Sequence, residues 1–142
     1  MRFTLLACVC VVALSAASHS ADPAAENKLL GTWKLISAKY GGKEAARGEG
    51  VTHLKHVTAT QFNWVIYDKD GVLQASLGGA YTIKKDAYEE TPAYGTESLV
   101  KQLKGKAQSF TWAIEDGKWK HNGKLSNGVT VEEVWERVDA KK

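Results

Sequence analysis

Gln61-Phe62-Asn63-Trp64-Val65-Ile66-Tyr67 is the stretch that decides the fold class. Phe62, Trp64 and Ile66 alternate with Asn63, Val65 and Tyr67, a period of two that places one set on each face of an extended strand. Phe110, Trp112 and Ile114 repeat the pattern further along. From Thr32 onward the segments are short, rich in Val, Ile, Thr and aromatic residues, and interrupted about every 8–12 residues by turn chemistry. Gly41-Gly42, Asp70-Gly71, Lys85-Asp86, Asp116-Gly117 and Asn127-Gly128 all supply residues that tolerate the positive φ of tight hairpins. About nine strands are expected, and the class is all-β. Val72 to Ile83 reads as one strand bent at Gly78-Gly79, and Lys118 to Ser126 as one strand with a glycine bulge. One helix is expected, short and N-terminal: Asp22 as N-cap, Pro23 at the first helical position, and Leu29-Leu30 stopping at Gly31.

The ends of the chain set its compartment. Arg2 precedes an almost wholly apolar run from Phe3 to Ala17, too short to span a bilayer but matched to a secretory signal, so residues 1–20 are expected to be removed near Ser20/Ala21. Removing twenty of the 142 residues leaves 122, one domain over residues 21–142, secreted or periplasmic and without a transmembrane segment. Leu5-Leu6-Ala7-Cys8 has the look of a lipoprotein box, but too few residues precede the cysteine to form an apolar run. Both cysteines, Cys8 and Cys10, leave with the signal, which excludes a cysteine nucleophile, a thiolate metal site and a disulfide scaffold. Without Arg2, the 19 Lys and Arg become 18 against 16 Asp and Glu, interspersed and with no basic stripe, so no nucleic-acid partner is expected. The longest connection, Gly41 to Gly50, is polar and glycine-rich, and is either a functional lid or loosely ordered.

A meander of antiparallel strands has exposed edges unless its first and last strands join. Gly31-Thr32-Trp33-Lys34-Leu35 and Val134-Trp135-Glu136-Arg137-Val138 suit each other as the two ends. Gly-x-Trp at the head of a first strand resembles the opening motif of the lipocalin-like (calycin) barrels, in which an Arg late in the final strand covers the Trp; Arg137 stands at that place. Gly31 to Gly42, His53 to Phe62, Asp86 to Gly95 and Ser126 to Val138 also resemble small exported lipocalin-like domains of bacteria, so the resemblance covers nearly the whole mature chain. It implies a single antiparallel up-and-down β-barrel of about 8–10 strands. Gly31, Trp33 and Arg137 then form a structural signature that closes the barrel base and touches no ligand. The chain is shorter than typical secreted lipocalins and lacks their disulfide and C-terminal helix, so no ligand is carried over from them.

A barrel of this size holds packed side chains or one small ligand. The ligand-binding candidates are His56, Trp64, Tyr81, Glu89, Tyr94, Trp112 and Trp119, which would suit an apolar or planar molecule. His53 and His56 lie three apart in a strand and therefore on opposite faces, so they cannot chelate one ion, and no metal site is expected. His56, sharing a face with Leu54, is taken as the one facing the lumen. His56, Glu89 and Tyr94 would be the acid-base set of a barrel enzyme if they converged. No Gly-x-Ser-x-Gly elbow, His-Glu-x-x-His helix, phosphate loop or dinucleotide fingerprint occurs. The leading expectation is a non-catalytic barrel binding a small apolar molecule, with no cofactor. The alternatives are the His56, Glu89, Tyr94 enzyme, haem binding through a histidine, and a packed structural module. Any function is expected inside the barrel or at the mouth beside Arg47.

Overall fold

The computed structural model describes residues 27–46 and 48–138. In chain order the elements are β1 (Gly31–Tyr40), β2 (Lys43–Glu44), β3 (Thr52–Val57), β4 (Gln61–Tyr67), β5 (Leu73–Lys84), β6 (Ala87–Gly95), α1 (Glu97–Leu103), β7 (Gln108–Glu115), β8 (Lys118–Lys124) and β9 (Thr130–Arg137). From β3 to β9 each strand pairs antiparallel with the next, and β1 pairs with both β3 and β9. These eight strands form a closed ring, and β2 is a two-residue rung on β1 through Lys39↔Glu44 and Tyr40↔Lys43. The all-β up-and-down barrel read from the sequence is the fold observed.

Two details of the strands follow from glycine. β5 runs unbroken through a register shift between Gly78 and Gly79, and β8 runs unbroken through Gly123, where a Cβ would collide with the Ser109 carbonyl and the Phe110 ring. In β1 the register with β9 jumps from Leu35↔Trp135 to Ser37↔Val134, leaving Ile36 as the extra residue of a bulge. The bulge changes the phase of the alternation: Trp33 and Leu35 are buried before it, Ala38 after it. Tyr40, in phase with Ala38, thereby faces inward beside Glu133 of the adjoining strand β9, to which its hydroxyl donates at 2.8 Å.

The helix differs from expectation. Asp22 to Glu26, the core of the expected N-terminal helix, lie outside the described residues, as do the signal segment and Arg47. Asn27 to Leu30 form a turn, with the Leu30 amide donating to the Asn27 carbonyl at 3.1 Å. The observed helix is α1, between β6 and β7. Its seven residues are too few to display a helical period, yet Leu99 and Leu103, four apart, share its inward face.

Packing divides the barrel into a closed base and an open upper end. At the base, Trp33 is 1% exposed and donates its indole N–H to the Leu29 carbonyl at 2.8 Å. The Arg137 guanidinium lies 4.2 Å from the Trp33 ring centroid and donates to the Leu30 carbonyl at 2.6 Å and the Lys28 carbonyl at 2.7 Å. Gly31, at φ +119°, leaves room for it, since a Cβ there would sit 2.7 Å from Arg137 Nη1. At the upper end the wall parts twice: the β1–β3 register stops at Lys34↔Leu54, and the β6–β7 register at Glu90↔Gln108. Ala45, Ala46, Gly48 and Val51 border a cleft beside the first gap, and α1 spans the second.

Arg137→Ala removes a cation–π contact and two charged hydrogen bonds, and is expected to destabilise the fold by about 1–3 kcal/mol. Because Lys lacks the planar fork that stacks and donates twice, Arg137→Lys should recover less than half of the loss. Thermal melts of the three proteins check this; a wild-type midpoint in Arg137→Ala would show that the base closes without the stack.

Candidate functional site

Strand parity decides which side chains meet inside. Lys55 stands opposite the buried Trp33 in the β1–β3 ladder, so His53, Lys55 and Val57 point inward, and Leu54 and His56 point outward. The expectation for the two histidines is therefore reversed. His56 Nδ1 lies 3.0 Å from Thr32 Oγ1 on the outer face, while His53 packs edge-on against the rings of Trp64 and Trp135.

Lys55 is the centre of the interior. It is 2% exposed and its Nζ donates to Glu90 Oε1 at 2.9 Å. The same ammonium lies 4.9 Å from the Trp135 ring centroid, 5.1 Å from Trp119 and 5.8 Å from Tyr88. The Tyr88 hydroxyl donates to the same Glu90 oxygen at 2.9 Å. Beside them, Glu133 accepts from the Tyr40 hydroxyl at 2.8 Å and from the Trp135 indole N–H at 3.0 Å. His121, stacked on Trp119 with an interplanar angle of 1°, stands between the Lys55–Glu90 pair and Glu133: its Nδ1 is 3.5 Å from Lys55 Nζ and 3.4 Å from Glu133 Oε2.

This arrangement fixes protonation states. Burial, and then the charge of Lys55, hold His121 well below the ordinary histidine range. The same two causes, in the same order, bring His53 down to about 3. Burial lifts Glu133 above the usual carboxylate range, opposed by Lys55, and burial with Glu90 lifts the Tyr88 phenol. Both inner imidazoles are thus neutral at physiological pH. A neutral His121 Nδ1 either accepts from Lys55 or donates to Glu133, but cannot do both. In either tautomer its Nε2 has no partner among the described residues, and neither has His53 Nε2.

His53 and His121 border one cavity of about 280 Å³. Apolar walls come from Trp64, Ile66, Leu77, Phe110, Trp135 and the α1 residues Leu99 and Leu103, and Tyr40, Lys55, Glu90, Gln108 and Glu133 join the two histidines as the polar part. A second cleft, about 580 Å³, lies at the upper end against Ala45, Ala46, Gly48 and Val51 and shares Tyr40, His53 and Ile66 with the first. The lumen therefore leads out between β1 and β3.

The residues singled out from sequence are scattered relative to this cavity. Trp64 lines it. Trp119 is inside and fully buried, but it packs against Lys55 and His121 as core. Tyr81 and Trp112 border a separate cleft toward the base, and the Tyr81 hydroxyl is engaged by the Thr58 carbonyl and Asn27, each at 2.6 Å. Glu89 is exposed and accepts from Ser109 Oγ at 3.2 Å. Tyr94, 46% exposed, lays its ring over Gly78 on the outer face. His56 and Tyr94 end an outer row, His56↔Asn63↔Gly78↔Tyr94, with two strands between them. The set His56, Glu89 and Tyr94 does not converge in the lumen, and His56 offers no inward ligand to a haem.

Lys55, Glu90 and Glu133 were missed by sequence reasoning. Two of them nevertheless left a sign, a charge standing in the apolar phase of a strand, as in Tyr88-x-Glu90 and Val131-x-Glu133-x-Trp135; Lys55 left none, because Thr52 to Val57 has no clear apolar phase.

The inner histidines make stability depend on pH. Between about pH 3 and 6.5 the unfolded chain protonates His53 while the folded protein does not, so stability rises with pH at up to about 1.4 kcal/mol per unit from this group. His121 adds to the slope; Glu133, whose pKa is raised on folding, opposes it above the ordinary carboxylate range. His53→Phe should flatten the stability profile between pH 4 and 6.5 by up to about 1.4 kcal/mol per unit, least near pH 6.5, measured by denaturant titration. An unchanged slope would mean that His53 is protonated in the folded protein.

Neither a family model nor a curated protein matches the chain. Solved structures do. An uncharacterised protein from Bacteroides eggerthii superposes with a TM-score of 0.57 at 16% identity, covering 77% of this chain and 98% of its own. A lipocalin-like protein from Bacteroides uniformis gives 0.54 at 14% identity, covering 78% and 99%. A redesigned beta barrel gives 0.50 at 18% identity, covering 79% and 93%. The fold of this chain is thus that of a lipocalin-like barrel.

Proposed function

We propose that the protein is an exported carrier or sensor that holds one small, largely apolar molecule in the lumen and does not convert it. The observation that carries this reading is the cavity of about 280 Å³, apolar on most of its wall and polar on one side. Ligand sites have that composition: apolar surface supplies affinity, at about 25 cal/mol per Å² removed from water, and a few fixed polar groups supply orientation. The volume lies just under the ~300–1,000 Å³ typical of drug-sized ligands, which suits a compact molecule. The shared residues Tyr40, His53 and Ile66 connect the lumen to the upper cleft, a route of entry. Export rests on Arg2, the apolar run from Phe3 to Ala17 and the small residues Ser18 and Ser20.

Trp64 and Trp135 line the cavity, so intrinsic fluorescence should report occupancy. Titration with fatty acids, retinoids, haem and bicyclic aromatics is expected to give a saturable change for at least one class. Leu103→Trp, which fills the lumen from α1, should weaken that binding at least about tenfold without lowering the melting temperature. Equal binding by this variant would move the site out of the lumen. The mass of the protein recovered from the producing cell's envelope fraction or medium should correspond to a chain beginning at Ala21; a chain retained in the cytosol with residues 1–20 intact would overturn export.

A further inference from the structure

We infer that the lumen selects an uncharged molecule, one or two fused rings carrying a single hydrogen-bonding group, and discriminates against carboxylates. This rests on the lumen-binding reading above and names its ligand class.

The inference follows from which polar atoms are already engaged. Lys55 is the only cation lining the cavity among the described residues. Glu90, at 2.9 Å, holds its ammonium, with the faces of Trp119 and Trp135 around it. No unpaired cation is left to receive an anionic headgroup. The cavity holds two carboxyl groups against that one ammonium, so an incoming carboxylate would add negative charge to a desolvated space already balanced or negative. An ammonium ligand would lose its hydration to meet carboxylates of which three of four oxygens are already engaged. Glu133 already accepts from Tyr40 on one oxygen and from Trp135 on the other, and Glu90 Oε1 accepts from both Lys55 and Tyr88.

Among the side chains that line the cavity, two buried nitrogens, His53 Nε2 and His121 Nε2, have no partner among the described residues. His121 is 1% exposed and lines the cavity, so its nitrogen sits just behind the wall, and a ligand group in the lumen reaches it by a small shift of the packed rings. A neutral imidazole donates or accepts according to tautomer, and therefore matches a phenol, an indole N–H or a ring nitrogen without transferring charge. Trp64, Phe110 and Trp135 supply the flat walls such a ring would pack on.

Isothermal titration of the mature protein at pH 7.5 with 2-naphthol, 2-naphthoate and 2-naphthylmethylammonium compares one shape with three charges. Binding of 2-naphthol at least about tenfold tighter than either ion is expected. If either ion binds as tightly as 2-naphthol, charge selection is overturned while lumen binding stands. If none of the three binds and no member of the fluorescence panel does, both readings fall together.

Two variants separate the causes. His53→Phe keeps the ring packing but loses Nε2, and should weaken 2-naphthol about fivefold; unchanged binding of 2-naphthol would overturn the part assigned to that nitrogen. Glu133→Gln removes a carboxyl group, and should strengthen 2-naphthoate about tenfold relative to 2-naphthol. No gain for 2-naphthoate in a Glu133→Gln protein that melts normally would overturn the electrostatic argument. Should that variant not fold, the three-ligand comparison on the wild-type protein decides alone.

Discussion

The hydrogen-bonded ladder between β1 and β9 is the constraint on which everything else depends, because closing the ring leaves each strand a single inward face. In an open sheet a one-residue slip exchanges the faces at the cost of some burial. In this barrel such a slip would place Lys34 and Glu136 inside and drive Trp33 and Trp135 out, so the register is held by the largest side chains of the core. The Gly31, Trp33 and Arg137 cluster fixes that register at the base. The bulge at Ile36 then shifts the upper half of β1 by one phase, which brings Tyr40 onto Glu133.

Burial of Lys55 follows from that register, and the interior is organised around it. A charge so enclosed is tolerated only with a close counter-ion and further polar or polarisable contacts. Glu90 provides the first, and the rings of Trp119, Trp135 and Tyr88 the second. The same enclosure, with the positive field of Lys55, keeps His53 and His121 neutral. A group that titrates readily in water thus becomes a fixed, uncharged hydrogen-bonding partner.

Much of the fold was legible because period-two alternation and glycine turns are local signals. Gln61 to Tyr67 showed its phase directly, and Trp33 with Arg137 indicated where the ends meet. The site was less legible because it depends on absolute phase, which is not local. In Thr52 to Val57 the alternation offers two choices, Leu54 with His56 or His53 with Lys55 and Val57, and hydrophobicity favours neither clearly. A lysine inside looks wrong until Glu90, thirty-five residues away, is known to be beside it. The same difficulty hid Glu133, whose partner Tyr40 lies ninety-three residues away. Helix α1 escaped for a different reason: seven residues make too short a run for its period to show.

The division of labour within the barrel separates likeness of fold from likeness of function. Residues that close the ring, Gly31, Trp33 and Arg137, meet at the base and make no contribution to the lining of the lumen. Residues that give the lumen its chemistry, Lys55, Glu90, His121 and Glu133, sit on β3, β6, β8 and β9, each held by side chains rather than by the backbone ladder. A relative could therefore keep the whole barrel while exchanging that polar group for another, and superposition would not register the change. Function in such a barrel is grafted onto inner positions of a wall whose geometry is set elsewhere. At 14% to 18% identity the solved barrels report the wall, and the chemistry of the lumen is set by the four inner polar residues of this chain.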